Sequence, residues 1–324
     1  MSKKIIIFKA LACCIAYSTA WAQPADNFPV KPIRIIIPFP PGGGTDIIGR
    51  AVAAKLQEAW GQPVLVDNQA GANGTIGLTM GMKAAPDGYT LTFISTGTSI
   101  NPHIYPNLTY NLLRDFMPLT QLSTQPYLLV VHPSLPVKSV KELIALAKAQ
   151  PGMLNYGSSG LGGTSHLACV MLESISGTRM THVPYKGSNP ALQDLLAGNI
   201  QVLFSTLLQS QAFVRTGRLR AIAISSKTRS PTTPDLPTVS AAGAPGFEVA
   251  GWFGLALPAR TPQPILARLH REIARIMHLP DIGQKLAADG SQAVGSTPED
   301  FTALIKVEIA KWGKIVKEAR IKIE

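Results

Sequence analysis

The chain has 324 residues and a formal net charge of +11, from 30 Lys and Arg against 19 Asp and Glu. Its 46% hydrophobic and 15% charged content excludes a disordered chain and suffices for one large or two medium domains. Low-complexity tracts, heptads and internal repeats are absent from the sequence, and so are Lys/Arg clusters dense enough for nucleic acid. The basic balance modestly favours anionic small molecules instead.

The first 22 residues read as a separate object. Lys3 and Lys4 form a basic start, and an apolar stretch follows from Ile5 to about Tyr17, interrupted by Lys9. Ala20-Trp21-Ala22 then gives a small-x-small cleavage pattern. The run is too short and interrupted for a membrane anchor. A lipoprotein signal through Cys13 or Cys14 would leave too little apolar sequence ahead of the cysteine. Export with cleavage before Gln23 is therefore expected, with the mature chain in the periplasm. Cleavage removes Lys3, Lys4 and Lys9, leaving a charge of +8 on 302 residues. Cys169 then remains alone, so no internal disulfide is available. Its apolar helical neighbours, Leu167, Val170 and Met171, suggest a buried bystander. No later segment reaches about 18 uninterrupted apolar residues, so the mature chain is expected to be soluble.

Ile33 to Ile37 reads as a buried strand. The run Pro38 to Gly44 follows, and then a helix from about Thr45 with Ile48, Val52, Leu56 and Trp60 at four-residue spacing. Gly44 or Thr45 can cap it, and Asp46 complements its dipole. Val64 to Val66 is a second strand. Gly71 to Gly77 is a glycine loop entering a short helix, and Thr90 to Ser95 is a third strand. This alternation marks a doubly wound α/β sheet. Met117 to His132 is extended, and Tyr127 to Val131 within it reads as a crossing strand.

A second α/β set follows. Val140 to Gln150 is a helix, Leu154 to Tyr156 a strand, Gly157 to Gly163 a glycine loop and His166 to Ser176 a helix. Thr181 to Pro184, Ile200 to Phe204 and Leu219 to Ile224 read as strands, with a helix from Pro190 to Ala197. Residues 225–248 are loop. Val249 to Leu257 is a strand returning to the first domain, and Pro264 to Met277 is a helix. The last helix starts at Thr297-Pro298-Glu299-Asp300, with Phe301, Leu304, Ile305, Ile309, Trp312 and Val316 on its apolar face. The chain thus reads as α/β with two doubly wound domains joined by two crossing strands around a cleft. The first domain is 23–126 plus 250–324, and the second is 127–249.

Three loops carry candidate chemistry. In Pro40-Pro41-Gly42-Gly43-Gly44-Thr45-Asp46, glycines let amide N–H groups converge at a helix start, which makes an anion site or simply a tight turn. The spacing is neither a P-loop nor a dinucleotide fingerprint. Gly157 to His166 repeats the arrangement. It fails the nucleophile-elbow pattern because Leu161 stands where the last glycine belongs. A secreted hydrolase using Ser158 or Ser159 with His166 is therefore a remote alternative, and His166 reads as a helix-surface or structural histidine. Ser95 to Asn101 offers hydroxyls that could serve a ligand or their own turn. The six histidines have no metal-site spacing, and no cofactor is expected. Arg268, Arg271 and Arg275 read as a solvated face.

Together these residues resemble the Bug family, the extracytoplasmic receptors of tripartite tricarboxylate transporters. The likeness runs from Ile37 to Asp46 with Arg50, through Asn68, Gly71 to Gly74 and Thr96 to Pro102. It continues through Asp115 to Pro118, Tyr156 to Gly160, His166-Leu167 and His182 to Gly187. It ends with Gly217 to Arg220, Pro234 to Thr238, Gly251-Trp252 and Pro258 to Pro262. The resemblance implies a type II periplasmic-binding-protein fold that closes on a small carboxylate and has no catalytic role. The ligand would be held by backbone amides and ordered waters.

Carried over by position, Phe39, Pro40, Gly42, Gly43, Gly44, Thr45 and Asp46 form one jaw. Ser158, Ser159, Gly162, Gly163, Thr164 and Ser165 form the other, and Thr96 and Ser99 contribute from the third strand's end. Partners implied are transporter membrane subunits, or alternatively a sensor ectodomain, with the receptor itself a monomer. Two departures stand out. Ser205-Thr206 replaces a frequent Asp-Asn, and Ala241 replaces a frequent acidic residue. Without a carboxylate at Ser205, plain or aromatic acids are favoured over amino acids.

Overall fold

The computed structural model describes residues 27–288 and 290–318. The expected export segment and its cleavage site lie outside these residues. Among the described residues, ten strands form one curled sheet in the order β2 (Val64–Asn68), β1 (Ile33–Ile37), β3 (Thr90–Ser95), β9 (Ala250–Pro258), β4 (Phe116–Val131), β7 (Val202–Thr206), β5 (Asn155–Ser158) and β6 (Thr181–Pro184), with β10 (Gln292–Ala293) and β8 (Arg220–Ile224) also pairing β4.

The first half is built on β1 (Ile33–Ile37), flanked in parallel by β2 (Val64–Asn68) and β3 (Thr90–Ser95). Apart from Arg34, which pairs with Asp67 at its margin, the strand is apolar and must be covered by packing. Ile33, Ile35 and Ile37 pack with Ile48, Val52 and Leu56 of α1 (Gly44–Trp60) and with Leu269 and Ile273 of α8 (Gln263–Met277). Helix α2 (Thr75–Met82) precedes β3, and α3 (Thr96–Ile104) follows it without a break. The second half repeats the plan. Here β5 (Asn155–Ser158) is parallel to β6 (Thr181–Pro184) and to β7 (Val202–Thr206). Helices α4 (Val140–Ala149), α5 (Thr164–Ser176), α6 (Ser188–Ala197) and α7 (Leu207–Arg215) cover it, and β8 (Arg220–Ile224) lies at its margin.

Strand β4 (Phe116–Val131) joins the halves as one 16-residue strand. Its first part runs antiparallel to β9 (Ala250–Pro258) with two register shifts, and its last five residues pair β7. Leu128 and Val130 enter the α6 core, while Leu129 and Val131 enter the α5 core, which explains the unbroken apolar run. After α8 come α9 (Pro280–Ala287), β10 (Gln292–Ala293) and α10 (Pro298–Glu318). Helix α10 serves both halves. Phe301 and Ile305 pack with Leu78, Ile94 and Trp252, whereas Trp312, Ile315 and Val316 join the core around Leu129 and Ala168.

Gly254 marks where α10 rests on β9. A Cβ there would overlap the Phe301 ring and lie 2.7 Å from the Thr120 carbonyl oxygen. Gly254→Ala is expected to destabilise the protein by about 1–3 kcal/mol through overpacking. Urea unfolding should record this as a lower midpoint at unchanged slope. An unchanged midpoint would mean that the Phe301 ring moves aside freely.

Sequence reading missed α3, α7, α9 and β10. Ser95 to Asn101 read as a strand end because Gly97, Pro102 and the hydroxyl residues are poor helix formers. The helix forms because a capping box joins Ser95 and Thr98 and because all residues from Thr96 to Asn101 are buried.

Candidate functional site

The first loop runs from Pro38 to Gly43, the N-cap of α1. Asp46 is only 5% exposed although charged. Its carboxylate accepts the Gly42 N–H at 3.0 Å, Arg50 Nε at 2.9 Å and Asn68 Nδ2 at 3.0 Å. Asn68 Nδ2 also donates to the Phe39 carbonyl, and Arg50 donates to Asn68 Oδ1. Burial pushes the Asp46 carboxyl up, but the hydrogen bonds from Arg50, Gly42 and Asn68 outweigh it and hold it below its ordinary value. Asp46 therefore sits beneath the loop and fixes its path. The exposed backbone of Gly42 and Gly43 lies above it.

Two further segments complete the first jaw. Ala72 and Asn73 both have positive φ, +46° and +48°. Asn73 Nδ2 donates to the Gly97 carbonyl at 3.2 Å and to Asn101 Oδ1 at 2.8 Å, tying this turn to the start of α3. Asn101 Nδ2 donates to the Asn73 carbonyl and to the Tyr110 hydroxyl. Thr96 and Ser99 are buried in the same place. Thr96 Oγ1 accepts the Trp252 N–H at 2.8 Å, and Ser99 Oγ donates to the Thr96 carbonyl at 2.7 Å. Both hydroxyls are thus engaged within the fold.

The second loop spans Ser158 to Gly163, the N-cap of α5. Ser158 Oγ donates to the Gly160 carbonyl, accepts the Gly160 N–H and lies 2.6 Å from His182 Nε2. Ser165 Oγ accepts the Ser159 N–H at 3.0 Å, and the Gly162 N–H donates to His166 Nδ1 at 3.1 Å. His166 stacks on His182 at 4.0 Å, and His182 on Tyr156 at 4.9 Å. Burial holds His166 down at about 3 and His182 at about 4, so both imidazoles are neutral. His166 is a buried structural histidine, one of the two readings the sequence left open. The serines of the hydrolase alternative have other partners: Ser158 has His182, and Ser159 has Ser165.

The jaws meet. A Cβ on Gly162 would lie 2.5 Å from Ile104 Cδ1 of α3 and 3.9 Å from Asn73 Nδ2. Phe39 reaches the same corner, near Gly74, and Phe253 of β9 lies 3.4 Å from where a Gly44 Cβ would stand. At the crossing strands, the Tyr127 hydroxyl faces the side chains of Thr164 and Gln125. Ser205 is buried at the end of β7, its hydroxyl donating to the Thr206 carbonyl at 3.3 Å. Each jaw thus carries a helix start whose first N–H groups have no partner inside the helix: Gly44 and Thr45 in α1, Thr164 and Ser165 in α5. Asn73, Tyr127 and His182 were not predicted as site residues. Asn73 and His182 both stand within family-like runs, Gly71 to Gly74 and His182 to Gly187, but neither run hinted at the contact of Asn73 with Asn101 or of His182 with Ser158. Among the described residues no group of three or more His, Cys, Asp and Glu could hold a metal, and no helix is long and apolar enough to cross a membrane.

Two α/β lobes joined by crossing strands, with paired glycine loops at their junction, define a solute-binding receptor of the periplasmic-binding-protein fold. The family model for the tripartite tricarboxylate transporter family receptor matches residues 48–321, and the chain belongs to that family, the Bug receptors. It is 36% identical to protein BugT of Bordetella pertussis over 93% of both chains. Among solved structures it is similar to Rpa4515 of R. palustris with adipate, at 35% identity, TM-score 0.85 and coverage of 92% of this chain and 100% of that one. It is also similar to MatC of Rhodopseudomonas palustris with bound malate, at 32% identity, TM-score 0.81 and coverage of 89% and 100%.

Proposed function

We propose that this receptor captures a small organic carboxylate between its two glycine loops and delivers it to the membrane subunits of a tripartite transporter. One observation carries the reading: Gly162, in the loop that starts α5, packs against Ile104 at the end of α3 and approaches Asn73, so the second glycine loop closes on the first jaw where one anion can bridge both. Asp46, beneath the first loop, is neutralised by Arg50 and so does not repel an anion there. The adipate and malate held by two relatives support the ligand class. In this reading the N-terminal 22 residues direct export to the periplasm and are removed. The lobes are 23–126 plus 250–324 and 127–249, and they close as rigid bodies about the crossing strands. The residues assigned to the jaws are those from Phe39 to Asp46 and from Ser158 to Ser165, with Thr96, Ser99 and Ser205 supporting them. The protein acts as a monomer without chemistry on its ligand.

Thermal unfolding against adipate, malate, longer dicarboxylates, aromatic acids, amino acids and sugars tests this. An acid at one hundred times its Kd adds about 2.7 kcal/mol, a rise of a few degrees. Stabilisation by one acid class, with the acid recovered unchanged, is the expected result. Stabilisation only by sugars, or consumption of the acid, would overturn it.

A further inference from the structure

The two loops share a latch that their sequences conceal. In each, a glycine with positive φ precedes the N-cap glycine: Gly42 at +83° and Gly162 at +74°. In each, the third residue of the helix accepts that glycine's N–H, Asp46 at 3.0 Å and His166 at 3.1 Å. Gly42-Gly43-Gly44-Thr45-Asp46 and Gly162-Gly163-Thr164-Ser165-His166 are thus equivalent position by position. The bond fixes the peptide planes that lead into the helix and so aims its first free N–H groups.

The acceptors differ in chemistry. Asp46 is a carboxylate kept ionised by Arg50 and Asn68. An imidazole accepts at Nδ1 only while that nitrogen carries no proton, so His166 serves only when neutral with its proton on Nε2. Its surroundings enforce this. His166 is 4% exposed, and His182 of β6 lies flat against it. Tyr156 of β5 completes the stack, and Ser158 ties His182 back to the loop. Cys169 and Glu173, farther along α5, act on the Tyr156 side, with Arg179 beside Glu173. Among the described residues, burial and the adjacent His182 ring are what hold the His166 imidazole unprotonated.

We propose that His166, backed by His182, is the positioning residue of the second jaw: its unprotonated Nδ1 holds the Gly162 N–H and thereby aims the Thr164 and Ser165 amides at the carboxylate. This rests on the carboxylate-receptor reading above. Ser158, His182 and Tyr156 make the support rigid, and burial keeps the latch closed at mildly acid pH.

Three measurements on the purified protein test it. Nitrogen NMR of the His166 ring at pH 5.5 should report a neutral Nε2–H tautomer, where an ordinary histidine is mostly protonated. Hydrogen exchange of the ligand-free protein should show Gly162 protected in wild type. His166→Phe, which removes the acceptor, should exchange at Gly162 at least about tenfold faster, while His166→Asn, which retains one, stays close to wild type. Adipate and malate affinities should fall about tenfold in His166→Phe and recover in His166→Asn. A protonated or Nδ1–H ring, unchanged Gly162 exchange in His166→Phe, or equal affinity losses in the two variants at equal global stability would each overturn the proposal. If neither acid binds wild type, the reading of the ligand class fails, and the NMR and exchange results alone decide the latch.

Discussion

Replacing Glu308 by alanine is expected to destabilise the protein by about 3–5 kcal/mol, among the largest effects of any single side chain outside the loops. Glu308 lies midway along α10 and is 6% exposed. Its carboxylate accepts Trp312 Nε1 at 2.8 Å, Trp252 Nε1 at 3.3 Å and Lys311 Nζ at 3.2 Å. Trp252 belongs to the core of the first half and Trp312 to that of the second. One carboxylate therefore satisfies an indole from each side of the molecule. Alanine leaves two buried N–H groups without an acceptor, removes the carboxylate partner of Lys311 and opens a cavity. Each unpaired donor costs about 1–3 kcal/mol. Glu308→Gln keeps one acceptor oxygen and should lose only about 1–2 kcal/mol. Urea unfolding followed by tryptophan fluorescence measures both variants. A loss below about 1 kcal/mol for alanine would mean that water reaches the indoles and that the clasp contributes little.

The second large effect is a fall in stability on acidification that begins near neutrality. His166 and His182 are held at about 3 and about 4 in the folded protein, against an ordinary 6.5. Below pH 6.5 the unfolded chain takes up protons at both rings and the folded chain does not. Each ring then removes up to about 1.4 kcal/mol per pH unit until its folded value is reached. Glu173 has the opposite sign, because burial raises it from 4.5 to about 7. Between pH 7 and 4.5 it stays protonated in the folded state, so it gains stability as pH falls. The three groups together give a net loss of about 1.4 kcal/mol per unit from pH 6.5 to 4.5, and about twice that just below, once the Glu173 gain is complete. The lowered Asp46 and Asp67 carboxyls add losses below their ordinary value of 3.8. Unfolding free energies at half-unit steps from pH 4 to 8 check this. His182→Gln should remove the slope of one proton. A profile that is flat or rises from pH 6.5 to 4.5 would rule out buried neutral histidines.

Much of the architecture was legible because its signals are local. The isoleucine run of β1, the four-residue spacing of α1 and the apolar face of α10 each follow from covering a strand or helix face. Both glycine loops were legible as loops, since strand, glycines and helix start stand in order along the chain. Elements without their own periodicity were not. Helix α3 is a run of small hydroxyl residues held by burial, and β10 is two residues recruited by β4.

By itself the sequence determined the alternation of strands and helices, the two glycine loops and the family, because periodicity, turn chemistry and ordered motifs are properties of neighbouring residues. Only the tertiary structure decided what each polar side chain does. Asp46 turned under its loop toward residues 42, 50 and 68, and Ser158 met His182 from a strand 24 positions away. Trp252 and Trp312 came to share Glu308. A buried polar group takes whichever partner the fold brings within hydrogen-bond distance, and strand pairing sets that proximity across long stretches of chain. The equivalence of Asp46 and His166 lay beyond sequence reading for the same reason: two chemically different acceptors fill one geometric role.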